Sequence, residues 1–303
     1  VEVASGTELG IWQKRQSDAH VADHIAPSVT LFGIADGFGE TGRGVGIAPT
    51  ALATVRDYLR RRHRVGSFGR SVSPSALRAV LLAALDHANA RLYAQSGSNE
   101  DFVASGTSLT AVMVVGHHAF VGHVGDARAY LLRLGRLELL TADDAMFADT
   151  AVTSAKTSLP ARPRSRGLLW RSLGTQAKLE ASIAHVELFA GDQLVLCTDG
   201  VHHCVDEDEL GEALSDSPTA SDVVARVLAT ARSRGGVDNG TLIVARDLLG
   251  AATPAFSARV HGRAVRLAIA VGLLAVSLLS YGIFALRTGF TDHTPGIASS
   301  ERQ

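Results

Sequence analysis

A layered α+β domain followed by one membrane-spanning helix is the architecture the sequence predicts, and three observations carry it. Helical patterns fall in pairs between blocks of short apolar strands joined by tight turns, the arrangement of α+β proteins. Apolar runs at 31–36, 119–126 and 194–199 each end on an aspartate, and Asp238 stands just ahead of a fourth at 241–245, so carboxylates sit at the ends of buried strands. Near the C-terminus, residues 267–286 contain no charge; as a helix they span about 30 Å, the thickness of a bilayer core.

Taken in order, strands are predicted at 1–5, 20–25 and 29–35. Pro49 suits a first helical turn, and the helix it opens runs to Arg62 with Leu52, Val55 and Leu59 on one face. Beyond a Gly/Ser-rich loop at 66–74, a second helix runs from Ser75 as N-cap to Leu92. Strands at 108–115, 118–124, 127–133 and 136–140 are joined by turns such as Gly116-His117 and Leu134-Gly135, connections short enough to make them antiparallel neighbours. Residues 143–178 read as irregular. Strands at 183–188 and 193–198, helices near 206–214 and 221–234, and a strand at 241–246 complete the domain.

An acid that terminates a hydrophobic strand is costly to desolvate unless something neutralises it. Several such acids at one sheet edge repel one another, and the usual remedy is a hard divalent cation, Mg²⁺ or Mn²⁺, held by carboxylates, a backbone carbonyl and waters. The aspartates therefore predict a two-metal hydrolase.

The words around them are more specific: Ala35-Asp36-Gly37-Phe38-Gly39, Ser105-Gly106-Thr107-Ser108-Leu109, Val124-Gly125-Asp126-Ala127-Arg128, Gly191-Asp192 followed by Leu196-Cys197-Thr198-Asp199-Gly200, and Gly236-Val237-Asp238-Asn239. In this order, over residues 1–247, the chain resembles the PPM family of metal-dependent protein serine/threonine phosphatases, the protein phosphatase 2C type. The resemblance implies a four-layer α-β-β-α sandwich with metals in a cleft at one sheet edge, and a mobile flap over it at 143–178. It implies that Asp36 bridges two Mn²⁺ or Mg²⁺ ions, that the Gly37 carbonyl, Asp199 and Asp238 complete the site, and that Asp126 serves a third, weaker metal. Asp18 matches an acid that holds metal-bound water. The implied reaction is hydrolysis of phosphoserine and phosphothreonine in proteins, a bridging water of lowered pKa attacking phosphorus in line.

Two positions depart from the family pattern. The arginine that grips the substrate phosphate is replaced by Gln13, and a neutral amide cannot supply the bidentate, charge-assisted bonds of a guanidinium. If this segment is a strand, Arg15 shares the face of Gln13 and is a substitute. Gln16 and Ser17 stand where the family carries Asn-Glu or Asn-Gln. A catalytically weak pseudophosphatase, acting as a kinase- or phosphoprotein-binding scaffold, is therefore the alternative to an active enzyme.

Residues 248–266 form a basic juxtamembrane linker, 267–286 the span and 287–303 a short outer tail. Arg259, Arg263 and Arg266 precede the span against Arg287 after it, which places the catalytic domain in the cytoplasm by the positive-inside bias and brings three cations to anionic lipid headgroups. Expected partners are phosphorylated proteins, serine/threonine kinases and anionic lipids. No signal peptide is visible in the first 18 residues, and a valine start suggests a trimmed chain or a non-methionine start. A net charge of −1 argues against nucleic-acid binding, and against the basic groove a metal-dependent nuclease needs. Cys197 and Cys204 read as two reduced thiols.

Other signals have simpler readings. Gly37-Phe38-Gly39-Glu40-Thr41-Gly42 is a literal Gly-x-Gly-x-x-Gly, but helix follows helix after it where a dinucleotide site needs a βαβ unit. The run from Arg60 to Arg64 reads as a solvated helix end where cations suit the dipole, and His202 and His203 as solvent-facing loop residues. Phe38 occupies the place where some relatives carry a histidine, so no general acid stands out.

Overall fold

In a computed structural model of the chain, the residues described are 1–39, 46–66, 68, 72–97, 105–146 and 168–249. The chain divides into two units, Val1–Thr253 and Pro254–Gln303, and all described residues belong to the first. The predicted span 267–286, the arginines flanking it, the tail 287–303 and residues 250–266 of the linker lie outside the described residues, as do Glu40, Thr41 and Gly42. Among the described residues no helix is long and apolar enough to cross a membrane.

In chain order the first half contains β1 (Glu2–Glu8), β2 (Asp18–Ala26), β3 (Val29–Phe38), α1 (Ile47–Arg64), α2 (Pro74–Gly97), β4 (Gly106–Val115), β5 (His118–Val124), β6 (Arg128–Arg133) and β7 (Arg136–Leu139). There follow β8 (Ala145–Met146), β9 (Leu168–Leu169), β10 (Ser182–Glu187), β11 (Gln193–Cys197), α3 (Asp199–His202), α4 (Glu207–Asp216), α5 (Ala220–Ser233) and β12 (Gly240–Arg246). Two five-stranded sheets result, in the orders β1-β12-β11-β6-β7 and β10-β5-β4-β3-β2. Every strand pair in them is antiparallel.

Three apolar clusters fix the layer order. Phe32, Ile34, Val112 and Val121 of one sheet meet Leu131, Leu194, Leu196 and Ile243 of the other. The outer face of the second sheet packs Leu31, Leu109, Met113 and Phe120 against Leu52, Val55, Leu81 and Leu85 of α1 and α2. The outer face of the first packs Val195, Leu242 and Val244 against Leu214, Val223 and Val227 of α4 and α5. Strands covered on both faces cannot alternate polar with apolar, which is why the central runs read as continuous hydrophobic stretches. The layers run α-β-β-α, as expected. β3 is antiparallel to both of its neighbours and α1 leads into α2, so the Gly-x-Gly-x-x-Gly word does not open a βαβ unit.

Several boundaries differ from expectation for local reasons. The second helix starts at Pro74, with the Ser73 hydroxyl accepting from Ala76 N at 3.3 Å, so Ser73 caps and Pro74 takes the first helical position it suits. Within 143–178, expected to be irregular throughout, β8 and β9 pair as a two-stranded antiparallel sheet. The helix α3, directly after β11, was not anticipated; a single turn carries no periodicity to read. α4 and α5 open on capping boxes, Asp206 with Glu209 and Thr219 with Asp222. Cys197 and Cys204 are free thiols, and burial pushes Cys197 up to about 12.

The Leu134-Gly135 turn between β6 and β7 has positive φ at both residues, 51° and 79°, the conformation of a two-residue hairpin that favours Asn-Gly. A fully exposed leucine there gains nothing from packing and carries the left-handed penalty of a branched L-residue. Leu134→Asn is expected to stabilise the domain by about 0.5–1 kcal/mol, read as a raised midpoint of chemical unfolding.

Candidate metal centre and active site

The site is built where the two sheets meet at one end. β2 pairs with β3 so that Asp18 lies opposite Asp36, and β4 places Ser108 opposite Asp36 on the other side. Asp18 was expected to lie outside any strand; it is the first residue of β2 and is buried. One carboxylate oxygen, Oδ2, accepts from Thr198 Oγ1 at 2.8 Å and from Thr241 Oγ1 at 2.7 Å. Those threonines belong to the other sheet: Thr198 follows β11 and Thr241 lies in β12. Thr198 Oγ1 also accepts from Thr241 N at 2.9 Å. A single carboxylate oxygen thus joins β2 to the partner sheet, and Thr198 directly precedes Asp199.

Asp199 opens α3 with Thr198 as its N-cap. Its neighbour Gly200 sits against the Asp238-Asn239 backbone, where a Cβ would come within 2.1 Å of Asn239 O. This close approach requires glycine and brings the Asp199 and Asp238 segments together. Asn239 is the bracket for the rest: its Oδ1 accepts from Gly10 N at 3.0 Å, and its Nδ2 donates to Arg15 O at 3.1 Å and Ser17 Oγ at 2.9 Å. Gly37, next to Asp36, lies opposite Thr107 and donates its N–H to Ser17 O at 3.2 Å.

Asp126 is buried at the turn after β5. The turn is held by Asp144, whose N donates to Gly125 O at 2.6 Å and whose Oδ2 accepts from Gly125 N at 3.1 Å. Arg171 offsets the Asp144 charge at 2.5 Å, and Arg128 binds Asp143 through Nε at 3.0 Å and Nη2 at 2.8 Å. His202 was expected to face solvent. Instead it ends α3 with Nε2 3.0 Å from Asp126 O, a neutral ring donating its N–H, because burial, then Arg128 and His203, push its pKa down to about 3. His203 is the exposed one, with Nδ1 3.8 Å from Asp199 Oδ2.

The structure thus brings Asp18, Asp36, Asp199 and Asp238 to one neighbourhood, with Asp126 beside it: a Cβ on Gly125 would lie 2.5 Å from Ser108 Cβ, opposite Asp36. Asp192, from the same motif as Asp199, is at the other end of β11 and binds Arg133 at 2.6 Å. Among the described residues no three acidic, histidine or cysteine side chains are already closed around one point. The donor set nevertheless fits hard cations: it is all oxygen, and Asp18 Oδ1 is buried with no hydrogen-bond partner. Burial pushes the Asp18 carboxyl up to about 7, against the hydrogen bonds from Thr241 and Thr198, with Asp199 adding to the rise. A cation reverses that balance by favouring the charged form.

The segment 13–17 is not a strand but a bend between β1 and β2, so face alternation does not place Arg15 beside Gln13. The chain turns here because Gly10 packs on Asp238, where a Cβ would meet the backbone at 2.5 Å. The Arg15 side chain is exposed. Gln13 Nε2 donates to Asp238 Oδ1 at 2.9 Å. Gln16 braces the bend, donating to Thr7 Oγ1 at 2.5 Å and accepting from Asp18 N at 3.0 Å. Sequence reasoning gave no role to Thr198, Thr241 or Asn239. The signal available was that Thr198 and Asn239 each adjoin an aspartate within a motif, while Thr241 opens the apolar run after Asp238.

The model of the protein phosphatase 2C family matches residues 13–244, and the chain belongs to that family. The serine/threonine protein phosphatase PstP of Mycobacterium tuberculosis is 36% identical over 172 residues, covering 54% of this chain and 33% of PstP. The serine/threonine phosphatase stp of Listeria monocytogenes is 33% identical over 167 residues, 54% of this chain and 66% of stp. This chain therefore spans about a third of the length of the mycobacterial relative, 33%. Among solved structures, the catalytic domain of PstP in complex with two manganese ions superposes with a TM-score of 0.65 at 28% identity, covering 80% of this chain and 96% of that one.

The Asp18 shift sets a pH dependence in the presence of EDTA. Its folded-state value, about 7, lies above its ordinary 3.8, so the folded protein binds the extra proton between them and stability falls as pH rises through that window. Asp18→Asn removes this term. The variant is expected to gain thermal stability relative to the parent from pH 5 to pH 8; parallel melting curves across that range contradict the assignment.

Proposed function

We propose that the chain is a Mn²⁺- or Mg²⁺-dependent phosphoprotein serine/threonine phosphatase, tethered to the membrane through 267–286 and opposing serine/threonine kinases. The observation that carries the reading is the assembly of Asp36, Asp199 and Asp238 around Asp18, where the two sheets are joined through Thr198 and Thr241. Asp36, the Gly37 carbonyl, Asp199 and Asp238 would hold two cations and Asp126 a third, and the chemistry such cations would supply is a water of lowered pKa and an offset to charge on the transferring phosphoryl group. The protein's own contributions are positional: Asp18 orients water through Oδ1, Asn239 fixes the bend that carries Gln13, and Asp144 fixes the turn that carries Asp126.

One observation favours the alternative, a scaffold that binds phosphoproteins or kinases with little turnover. The Gln13 amide is committed to Asp238 and brings no charge to a phosphate. The membrane reading rests on the uncharged run and the arginines before it, and anionic lipids are the partners those arginines suit.

Phosphate release from a phosphothreonine peptide separates the readings. Turnover with Mn²⁺, abolished by EDTA and reduced more than about 100-fold by Asp199→Ala, supports the phosphatase. Gln13→Arg is expected to raise turnover further by supplying a bidentate phosphate contact. A chain that binds Mn²⁺ yet releases no phosphate, with or without Gln13→Arg, is the scaffold. Removal of residues 254–303 is expected to release the protein from the membrane fraction.

A further inference from the structure

The second sheet carries a pair of histidines on its edge, apart from the carboxylate cleft. β10 is the outermost strand of that sheet and pairs with β5. The register sets His185 opposite Phe120 and Glu187 opposite His118. Directly opposed residues of an antiparallel pair share a face, as do residues two apart along a strand, so His118, His185 and Glu187 stand on one face around Phe120. The diagonal pair is in contact: His185 Nε2 lies 3.2 Å from His118 Nδ1. Two imidazole nitrogens on one tetrahedral zinc, at zinc–nitrogen distances near 2.0–2.1 Å, are about 3.3 Å apart. The contact is a hydrogen bond between the rings; its length matches the span of a chelating pair, and a cation would replace the shared proton.

Phe120 preorganises it. This buried ring stacks on His185 with centroids 4.6 Å apart and planes 9° from parallel, so a core residue sets the imidazole orientation before any ligand arrives. Partial burial and the neighbouring His118 lower the His185 pKa, with Glu187 opposing, which keeps the ring in the neutral form a metal requires.

We propose that His118 and His185 bind a borderline divalent cation, Zn²⁺ first among them, with Glu187 turning in as a carboxylate ligand and water completing the shell. Glu187 is exposed, so its side chain has room to swing toward the pair. Imidazole donors select Zn²⁺, Ni²⁺ or Cu²⁺, whereas Mn²⁺ and Mg²⁺ prefer oxygen, so the site takes a different class of ion from the cleft. Its consequence is structural. The metal staples β10, held by one neighbouring strand, to β5.

The test is calorimetric titration of the purified chain with ZnCl₂ in excess Mg²⁺, which occupies oxygen-donor sites, beside thermal melting with and without Zn²⁺. The expected result is one Zn²⁺ site, weakened at least about tenfold in His118→Ala and His185→Ala and less in Glu187→Gln, with a Zn²⁺-dependent rise in melting temperature that His185→Ala lacks. His185 and Glu187 are exposed on the sheet face, so their variants fold. Identical Zn²⁺ isotherms and melting shifts for the parent and His185→Ala, or no Zn²⁺ response in either, overturn the proposal. Because the readout is binding rather than turnover, it stands or falls independently of the phosphatase reading.

Discussion

A buried carboxylate shared between two sheets is the constraint on which the rest of this structure depends. Asp18, at the start of β2, spends one oxygen on hydroxyls from Thr198 and Thr241 of the opposite sheet and keeps the other directed into a space lined by further acids. Packing alone brings sheets to a separation; it does not fix which ends meet, because apolar contact is not directional. The hydrogen bonds that Asp18 accepts do fix it. They set β11 and β12 so that Asp199 emerges beside Asp36's strand, and the tight Gly200–Asn239 approach then brings Asp238 to the same place. Concentrating buried acids at one end of two packed sheets is unfavourable for the apoprotein, and the raised Asp18 pKa is the local sign of that cost. Such strain is what a cation-binding centre is expected to carry.

The loop before β2 shows how a substituted position is absorbed. Gln13, which the sequence reading sets in the place of a phosphate-gripping arginine, turns its amide to Asp238. Gln16 and Ser17 are likewise consumed by the bend, through Thr7, Asp18 N and Asn239. The bend is therefore a braced element whose polar groups are satisfied internally. Its polar side chains tie the bend to the acids behind it.

Most of the fold was legible because burial on both faces imposes continuous apolar strands, and those end where the acids begin. The motif words placed Asp36, Asp126, Asp199 and Asp238 near strand ends or turns for the same reason, and the structure has them there. What sequence could not reveal was side-chain commitment across long separations. Nothing in the spacing of Asp18, Thr198 and Thr241 predicts that they meet, and nothing around Asn239 predicts that it holds Gly10, Arg15 and Ser17. The face argument for Arg15 failed because a glycine-driven bend replaces the strand it assumed. His202 was misplaced because the one-turn helix that carries it onto Asp126 is too short to leave a period.

The central claim is that these aspartates are assembled to hold two hard cations. Electron paramagnetic resonance of Mn²⁺ titrated into the purified chain tests it most directly, because free Mn²⁺ alone gives the sharp six-line signal. The account predicts two ions removed from solution per chain, and loss of both in Asp36→Ala, the acid that lies opposite Asp18 and Ser108. Unchanged Mn²⁺ binding in Asp36→Ala, or none in the parent protein, would contradict it.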